Sequence, residues 1–293
     1  MREGDVGMKW LGNEVRFSAF KFEYGKGILM TLIYEKNKFE IWASLPYSIL
    51  YCATQNRKRL IEILESKASN KCKKDLSMYV GRNTGYINWL IQESYPFPDD
   101  IEHWIIPTSN YVLEYLGSSL DVIDPLNKSI IEVDIEKVIE GLELTDMSWE
   151  YVKEEYKEFI DSKYLQEISL EKVIYDEGGV SILLNGELRK NKHGKNYKDK
   201  ILITFNDSIE ALRITETGRR LLLDVMFLNT KKYEPERKCF FKVKNSEFIR
   251  WLEKEGRVKF KENIFHYCFI TSNMIVDAIS RHSPKIEKLR EYK

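Results

Sequence analysis

The sequence predicts an α+β protein in which one mixed-sheet unit, built of strands, a helix, a strand and a capped helix, occurs twice. Three observations lead to this prediction: a segment that recurs later in the chain, strand-like runs upstream of each copy, and an acidic helical segment between the copies. The length of 293 residues also exceeds that of most single hydrophobic cores. We therefore expect a first repeat-containing domain at 1–125, an acidic helical connector at 126–170 and a second repeat-containing domain at 171–293.

The recurring segment covers residues 83–116 and 245–279, with one extra residue in the second copy. Two of the six tryptophans and two of the four histidines of the chain fall in register. Agreement at scarce residue types rarely arises by chance, so we interpret the segment as an internal duplication. Ten positions are identical in the two copies: Asn83/Asn245, Ile87/Ile249, Trp89/Trp251, Leu90/Leu252, Glu93/Glu255, Ile101/Ile264, His103/His266, Thr108/Thr271, Ser109/Ser272 and Asn110/Asn273.

The first part of each copy has the features of a helix followed by a strand. Thr84 and Ser246 are good N-cap residues directly before apolar residues at helical spacing, which predicts helices that begin near residues 85 and 247. Short runs of aromatic and β-branched residues follow at His103–Ile106 and His266–Ile270. Their length and composition favour buried strands.

The second part of each copy begins with a Thr-Ser-Asn triplet, at 108–110 and at 271–273. The side chains of such a triplet can accept hydrogen bonds from the free amides that open a helix. Apolar residues follow at helical spacing, and an acid, Glu114 or Asp277, stands where the helix dipole favours negative charge. The sequence therefore predicts a second, capped helix in each copy.

Candidate strands precede each copy, and glycine-containing turns separate several of them. In the first half they are Val15–Tyr24, Gly27–Tyr34 and Lys38–Ser44, and in the second half Val180–Leu184, Lys200–Phe205, Ala211–Thr215, Leu221–Leu228 and Lys238–Val243. The segment Tyr47–Ser66 looks helical and has no evident match in the second half. Together these elements predict a mixed sheet with helices on one side.

The connector between the halves is strongly acidic, with eleven acids against three lysines over residues 131–161. Trp149, Val152, Tyr156 and Phe159 recur at intervals of three and four residues, which predicts an amphipathic helix. A charge-rich helix is most often a solvated face. As a functional hypothesis, its end offers a binding surface for a basic protein. The acids of that surface are Asp146, Glu150, Glu154, Glu158 and Asp161.

The composition narrows the classes of function. The formal net charge is zero and the pI is near 6.9, which disfavours a nucleic-acid coat and a membrane-surface protein. No apolar run approaches the length of a spanning helix or of a signal peptide, and the four cysteines are scattered, so we expect a cytoplasmic protein with reduced thiols. No cofactor or metal motif is present in the sequence, and we expect neither group. Homo-oligomerisation stays open.

The duplicated histidines, His103 and His266, are the natural candidates for catalysis. Duplicated phosphoesterases of the two-histidine class carry one such histidine in each half, with Ser or Thr two residues later on the same strand face. Here that position is Ile105 or Cys268, so the signature fails. A histidine that is half-buried and bonds a neighbouring backbone is the more common outcome.

Two hypotheses follow. The leading one is a non-enzymatic protein that binds another protein, because the chain is duplicated without a catalytic signature. Its Lys, Ile, Glu and Tyr-rich composition is typical of accessory proteins of low-GC bacteria and their phages, which suggests an inhibitor of a bacterial defence system or a toxin-immunity protein. The alternative is a phosphodiester- or nucleotide-directed enzyme with His103, His266, Asn110 and Asn273 in one cleft.

Overall fold

A computed structural model of the protein shows a fold dominated by β-strands, with two large sheets and three short helices in its described part. The predicted α+β class is therefore wrong. The described residues are 15–34, 37–44, 46–67, 77–81, 84–93, 101–117, 121–122, 129–132, 148–151, 168–176, 179–190, 193, 196–206, 209–219, 240–257, 259–260 and 263–292.

The elements fall into two sets in chain order, which we name the first half (15–122) and the second half (168–292). The first half contains β1 (Val15–Glu23), β2 (Gly27–Tyr34), β3 (Asn37–Ala43), β4 (Ser48–Ala53), the 3-10 turn η1 (Thr54–Arg57), α1 (Lys58–Lys67), β5 (Ser77–Gly81), α2 (Gly85–Glu93), β6 (Glu102–Pro107), β7 (Tyr111–Gly117) and β8 (Asp121–Val122). Two short strands, β9 (Ser129–Glu132) and β10 (Ser148–Tyr151), lie between the halves in sequence. The second half contains β11 (Ser169–Asp176), β12 (Gly179–Lys190), β13 (Asn196–Phe205), β14 (Ala211–Glu216), the 3-10 turn η2 (Thr217–Arg219), β15 (Phe240–Lys244), α3 (Glu247–Gly256), β16 (Phe265–Ile270), β17 (Met274–Ser280) and β18 (Lys285–Tyr292).

Both sheets are built half by half around a central strand pair. The eight-stranded sheet has the order β18-β13-β12-β11-β1-β2-β3-β8, and the ten-stranded sheet has the order β10-β15-β16-β17-β14-β4-β7-β6-β5-β9. In the eight-stranded sheet, β1, β2, β3 and β8 of the first half run outward in one direction, and β11, β12, β13 and β18 of the second half run outward in the other. In the ten-stranded sheet, β4, β7, β6 and β5 correspond in the same way to β14, β17, β16 and β15. The described β-pairings are antiparallel except that of β5 with β9. The duplication thus extends beyond the repeated segment to both sheets and gives them a pseudo-twofold axis, while β9, β10 and α1 have no described counterpart. The domain boundaries predicted from the sequence stay a prediction.

The first hairpin of each half shows how closely the two backbones correspond. Gly27 and Gly179 both open the second strand of the half with positive φ angles, 107° and 113°. A Cβ atom at Gly27 would collide with the carbonyl oxygen of Ala43, and one at Gly179 would collide with that of Phe205. Glycine is required at both places because the next strand approaches the backbone too closely for any side chain.

The repeated segment has the same arrangement in both halves, which is helix, strand and strand. The predicted second helix is instead a strand, β7 or β17, and each Thr-Ser-Asn triplet is the turn of a hairpin with β6 or β16. These strands are buried on both faces, so apolar residues can occupy successive positions. Their apolar residues therefore matched a helical spacing, and the sequence predicted helices in place of strands.

The ten-stranded sheet is covered on both faces. Its inner face packs on the eight-stranded sheet and forms the main core, which includes Phe20, Ile182 and Phe269. On its outer face, α2 and α3 share one cluster over the pseudo-twofold axis, and α1 packs over β5, β6 and β7. Trp89 and Trp251 lie in the shared cluster at equivalent, largely buried positions.

Two predicted helices are corrected by the structure. Within Tyr47–Ser66, residues Ser48–Ala53 form β4, and only the part from Thr54 onward is helical. Strand β4 does have a match in the second half, since it pairs with β14 across the axis. Around Trp149, residues Ser148–Tyr151 form β10 rather than a helix, because they extend the ten-stranded sheet beside β15. The rest of that predicted helix and the predicted strand Leu221–Leu228 lie outside the described residues.

Candidate functional site: two buried histidine relays

The second half contains a chain of hydrogen bonds that begins at the N-terminus of α3. Ser246 is the N-cap of this helix, and its Oγ accepts a hydrogen bond of 3.1 Å from the amide of Ile249. The same Oγ lies 2.8 Å from Nδ1 of His266. The capping hydroxyl predicted from the sequence therefore has a second role, which is to orient an imidazole ring.

The chain continues through the ring to a buried ion pair. His266 Nε2 lies 2.9 Å from Oδ1 of Asp277 on the neighbouring strand. The other carboxylate oxygen, Oδ2, accepts hydrogen bonds from Nε and Nη2 of Arg213, at 2.9 and 2.8 Å. The four side chains Ser246, His266, Asp277 and Arg213 are exposed by at most 4%. We name this set the second relay.

The first half repeats the chain with conservative replacements. Thr84 Oγ1 accepts from the amide of Ile87 at 3.3 Å and lies 2.9 Å from His103 Nδ1. His103 Nε2 lies 3.0 Å from Oε2 of Glu114, and Arg57 binds that carboxylate through Nε and Nη2, both at 2.7 Å. We name Thr84, His103, Glu114 and Arg57 the first relay. All four are buried.

One proton arrangement satisfies the hydroxyl, the ring and the carboxylate of the second relay, whereas in the first relay Nε2 of His103 lies 3.0 Å from Glu114 without an aligned hydrogen bond. The carboxylate can only accept, so the ring donates to it from Nε2. The hydroxyl oxygen accepts the helix amide and donates its own proton to Nδ1. Each ring thus links a helix N-terminus to a carboxylate on the sheet.

The buried charges of the first relay are balanced within it. Burial acts to raise the pKa of Glu114, but the charge of Arg57 and the contacts that His103 and Arg57 make with the carboxylate outweigh it, so the pKa lies below its usual value. Burial acts to lower the pKa of Arg57, but the charges of Glu114 and Glu255 outweigh it, so the pKa of this guanidinium lies above its usual value. The pair is therefore ionised inside the protein.

The arginines differ in origin although their roles agree. Arg213 lies on β14, directly opposite Asp277 in the strand register, whereas the equivalent cross-strand partner of Glu114 is Leu50. In the first half, Arg57 on the turn η1 supplies the missing guanidinium. Each relay thus has one arginine, but the duplication did not preserve its position.

Both arginines also stack on aromatic rings of the other half. The Arg57 guanidinium lies 4.6 Å from the ring centroid of Trp251, and that of Arg213 lies 4.6 Å from the centroid of Trp89. Arg213 is further covered by Phe248, at 4.4 Å. The relays are therefore joined to the contact between the halves by cation–π packing.

The arrangement of hydroxyl, imidazole and carboxylate invites comparison with a nucleophilic triad. In such triads the nucleophile binds Nε2 and the carboxylate binds Nδ1, and the nucleophile must meet its substrate. Here the ring is reversed, the hydroxyl already accepts a helix amide, and His103 and His266 are each only 2% exposed. The relays fix the helices on the sheet; their geometry does not present a nucleophile.

The asparagines paired with the histidines in the enzyme hypothesis serve a different contact. Asn110 Oδ1 accepts from the amide of Phe17, and its Nδ2 donates to the carbonyl of the same residue, both at 3.0 Å. Asn273 does the same with Leu170, at 2.8 and 3.1 Å. These side chains join hairpin turns of the ten-stranded sheet to the eight-stranded sheet, at the opposite end of each strand from the histidine. No described contact brings them to His103 or His266.

The predicted acidic surface is described at one residue. Glu150 lies in β10, an edge strand of the ten-stranded sheet, in register with Lys242 on β15. Asp146, Glu154, Glu158 and Asp161 lie outside the described residues.

The partners of the histidines were not predicted from the sequence, although a signal for them exists. Each histidine is followed eleven positions later by an acid, Glu114 or Asp277, and preceded at nineteen or twenty positions by the capping Thr84 or Ser246. The acids were interpreted as first-turn residues of a helix. Had the segment been assigned to a hairpin, the register would have brought each acid beside its histidine.

Comparisons with known proteins give no relative: no protein family, no curated protein and no solved structure matches the chain. Within the described ranges, no cluster of three or more His, Cys, Asp or Glu side chains is arranged to hold a metal ion. No helix in the described part is long and apolar enough to cross a membrane.

Proposed function

We propose that the protein is a non-enzymatic cytoplasmic protein that acts by binding another protein. The observation that supports this most is the closure of both relays. The polar groups that would serve acid–base chemistry, His103 and His266, are buried, and each ring nitrogen lies within 3.0 Å of a side-chain oxygen. The geometry gives the paired-histidine enzyme no support, because the rings do not open into a cleft with Asn110 and Asn273.

The proposed partner is a basic protein that meets the acidic segment ending in Asp146–Asp161. Edge strands are the part of a sheet that a partner can reach, and the one described residue of the surface, Glu150, lies on such a strand. A one-signed field speeds encounter with a partner of opposite charge and weakens as salt rises. Within this class we favour an inhibitor of a bacterial defence system or an immunity protein against a toxin.

The test is a set of three tagged baits in lysate of the native host. The wild type is compared with a variant in which Glu150, Glu154 and Glu158 are replaced by Lys. The third bait is a charge control in which Glu40, Glu62 and Glu287, elsewhere on the surface, are replaced by Lys. Both variants change the net charge by the same amount, so only the location of the change differs.

The expected result is a basic protein that the wild type and the control retain and that the first variant loses. Its affinity for the purified wild type should fall as salt rises, in a titration followed by calorimetry. A partner held equally by all three baits would refute the acidic surface. Retention of a nucleotide or phosphodiester instead, with turnover that His103→Gln abolishes in a still-folded protein, would refute the binding hypothesis itself.

A further inference from the structure

Two carboxylates converge on one buried guanidinium where the halves meet. Arg57 binds Glu114 of its own half with two hydrogen bonds, and its Nη1 donates a third, of 2.8 Å, to Oε2 of Glu255 on α3. All three side chains are at most 1% exposed. In the second relay, Arg213 binds Asp277 through Nε and Nη2.

The end of α3 that carries Glu255 is the part that touches the first half most closely. A Cβ atom at Gly256 would lie 3.0 Å from the carbonyl oxygen of Gln55 and 3.1 Å from Cα of Asn56, so helix and turn are in direct backbone contact. Arg257, the next residue, pairs with Glu62 of α1 at 2.8 Å. Any change in the charge of Glu255 therefore acts on this contact.

The nearby cations do not fully neutralise the negative charge of an ionised Glu255. Arg57 is shared with Glu114, and the second cation, Arg59, stands 3.7 Å away with 30% of its side chain exposed to water. Burial is the largest influence on Glu255, and it raises the pKa of that carboxyl above its usual value. The charged and titratable groups that act on Glu255 or respond to its charge are Arg57 from η1, Arg59 from α1, Glu114 from β7, Lys254 from α3 and the Cys52 thiol from β4.

We propose that Glu255 is a proton-controlled contact between the halves, which holds the end of α3 on η1 when it is protonated and loosens it when it is ionised. A protonated Glu255 keeps its carbonyl oxygen for the Arg57 hydrogen bond and leaves that guanidinium to Glu114. An ionised Glu255 adds a second buried negative charge, which is better solvated when the helix end opens. The protein thus carries a pH-dependent hinge at the junction of its two copies.

Hydrogen exchange of the full-length protein, followed by mass spectrometry as a function of pH, tests this directly. The amides of α3 should lose protection as pH rises above about 4.5, beyond the change in intrinsic exchange rate, by about tenfold for each pKa unit spanned. The β16–β17 hairpin in the same half serves as the internal reference. In Glu255→Gln, which imitates the protonated acid, the extra loss at α3 should disappear.

A second variant keeps the test independent of how well Glu255→Gln folds. Arg59→Met removes a partly exposed cation that favours the ionised carboxylate, without touching the buried pair, so the loss of protection should begin at the same pH but continue to a higher pH and be larger in total. Parallel exchange profiles of wild type and Glu255→Gln at α3 would overturn the proposal. A loss of protection in Arg59→Met that levels off at the same pH as in the wild type would overturn it as well.

Discussion

Arg57 of the first half lies over the ring of Trp251 in the second half, with its guanidinium carbon 4.6 Å from the ring centroid. The converse contact, Arg213 of the second half over Trp89 of the first, has the same distance. Each half therefore provides the cation that covers a tryptophan of the other. Because both arginines also neutralise the carboxylate of a relay, the contact between the halves and the histidine sites are one structure.

Replacing Arg57 by Met should destabilise the protein strongly. The variant leaves Glu114 and Glu255 buried without their cation, and removal of one partner from a buried ion pair costs about 3–5 kcal/mol. The measurement is the free energy of unfolding from a urea titration. Arg257→Met is the matched control, because Arg257 also joins the halves but its pair with Glu62 is exposed and should contribute at most about 1 kcal/mol. Equal losses in the two variants would contradict the central role of Arg57.

The hydroxyls that begin the relays should be interchangeable between the halves. Ser246→Ala removes an N-cap together with the hydroxyl that binds Nδ1 of the buried His266, so we expect a loss of about 2–4 kcal/mol in unfolding free energy. Ser246→Thr installs the residue that Thr84 provides in the other half and should change stability by under about 0.5 kcal/mol. Thermal unfolding followed by circular dichroism distinguishes the two outcomes. A threonine variant as unstable as the alanine variant would show that the relays are not equivalent.

The paired tryptophans should each contribute through packing rather than through hydrogen bonding. Trp89→Ala and Trp251→Ala should each cost about 3–5 kcal/mol of unfolding free energy, because both rings are buried between helix and sheet. The indole N–H of Trp251 makes no hydrogen bond within the described part of the chain, so Trp251→Phe should retain much of that stability. Urea titrations of the three variants provide the comparison. A loss under about 1 kcal/mol in both alanine variants would refute the buried positions.

The duplication could be predicted from the sequence because it rests on residues that the buried sites require. Trp89, Trp251, His103 and His266 repeat since each relay and each arginine needs the same partner in both halves. Most of the early strands were also predicted, because β1 and β3 largely alternate apolar and polar residues and a glycine turn separates β1 from β2. These parts of the fold can be predicted from short segments of the sequence.

The remaining errors come from burial on both faces of the ten-stranded sheet. Strand β17 is buried at every position, so its sequence has no period of two to distinguish it from a helix. The same error hid the partners of the histidines, since Asp277 meets His266 only across a hairpin. Arg57 could not be predicted at all, because it reaches Glu114 from a turn 57 residues away. Contacts of that kind depend on the topology, which the repeat alone does not specify.

The asparagines of the hairpin turns should fasten the two sheets to each other. Asn273 makes two hydrogen bonds with the backbone of Leu170 in β11. Asn273→Ala therefore removes the partner of the Leu170 amide and of the Leu170 carbonyl. We expect a loss of about 1–3 kcal/mol in unfolding free energy. Asn273→Asp, which keeps the acceptor but not the donor, should lie between the alanine variant and the wild type at neutral pH. Stability unchanged in both variants would show that water replaces these bonds.

Glu114 and Glu255 should affect stability in opposite directions as pH changes, although both bind Arg57. The pKa of Glu114 in the folded protein lies below the usual 4.5, so its contribution to stability is present above that pH and is lost as pH falls through the folded value. The pKa of Glu255 lies above 4.5, so its contribution is present below that pH and is lost as pH rises. The measurement is the unfolding free energy of the wild type, Glu114→Gln and Glu255→Gln from pH 3 to pH 9. The unfolding free energy of the wild type should exceed that of Glu114→Gln by less and less as pH falls below about 4.5. Relative to Glu255→Gln, the unfolding free energy of the wild type should instead decrease as pH rises above about 4.5. Two differences that stay constant with pH would show that Arg57 holds both carboxylates alike, and that neither is perturbed by its burial.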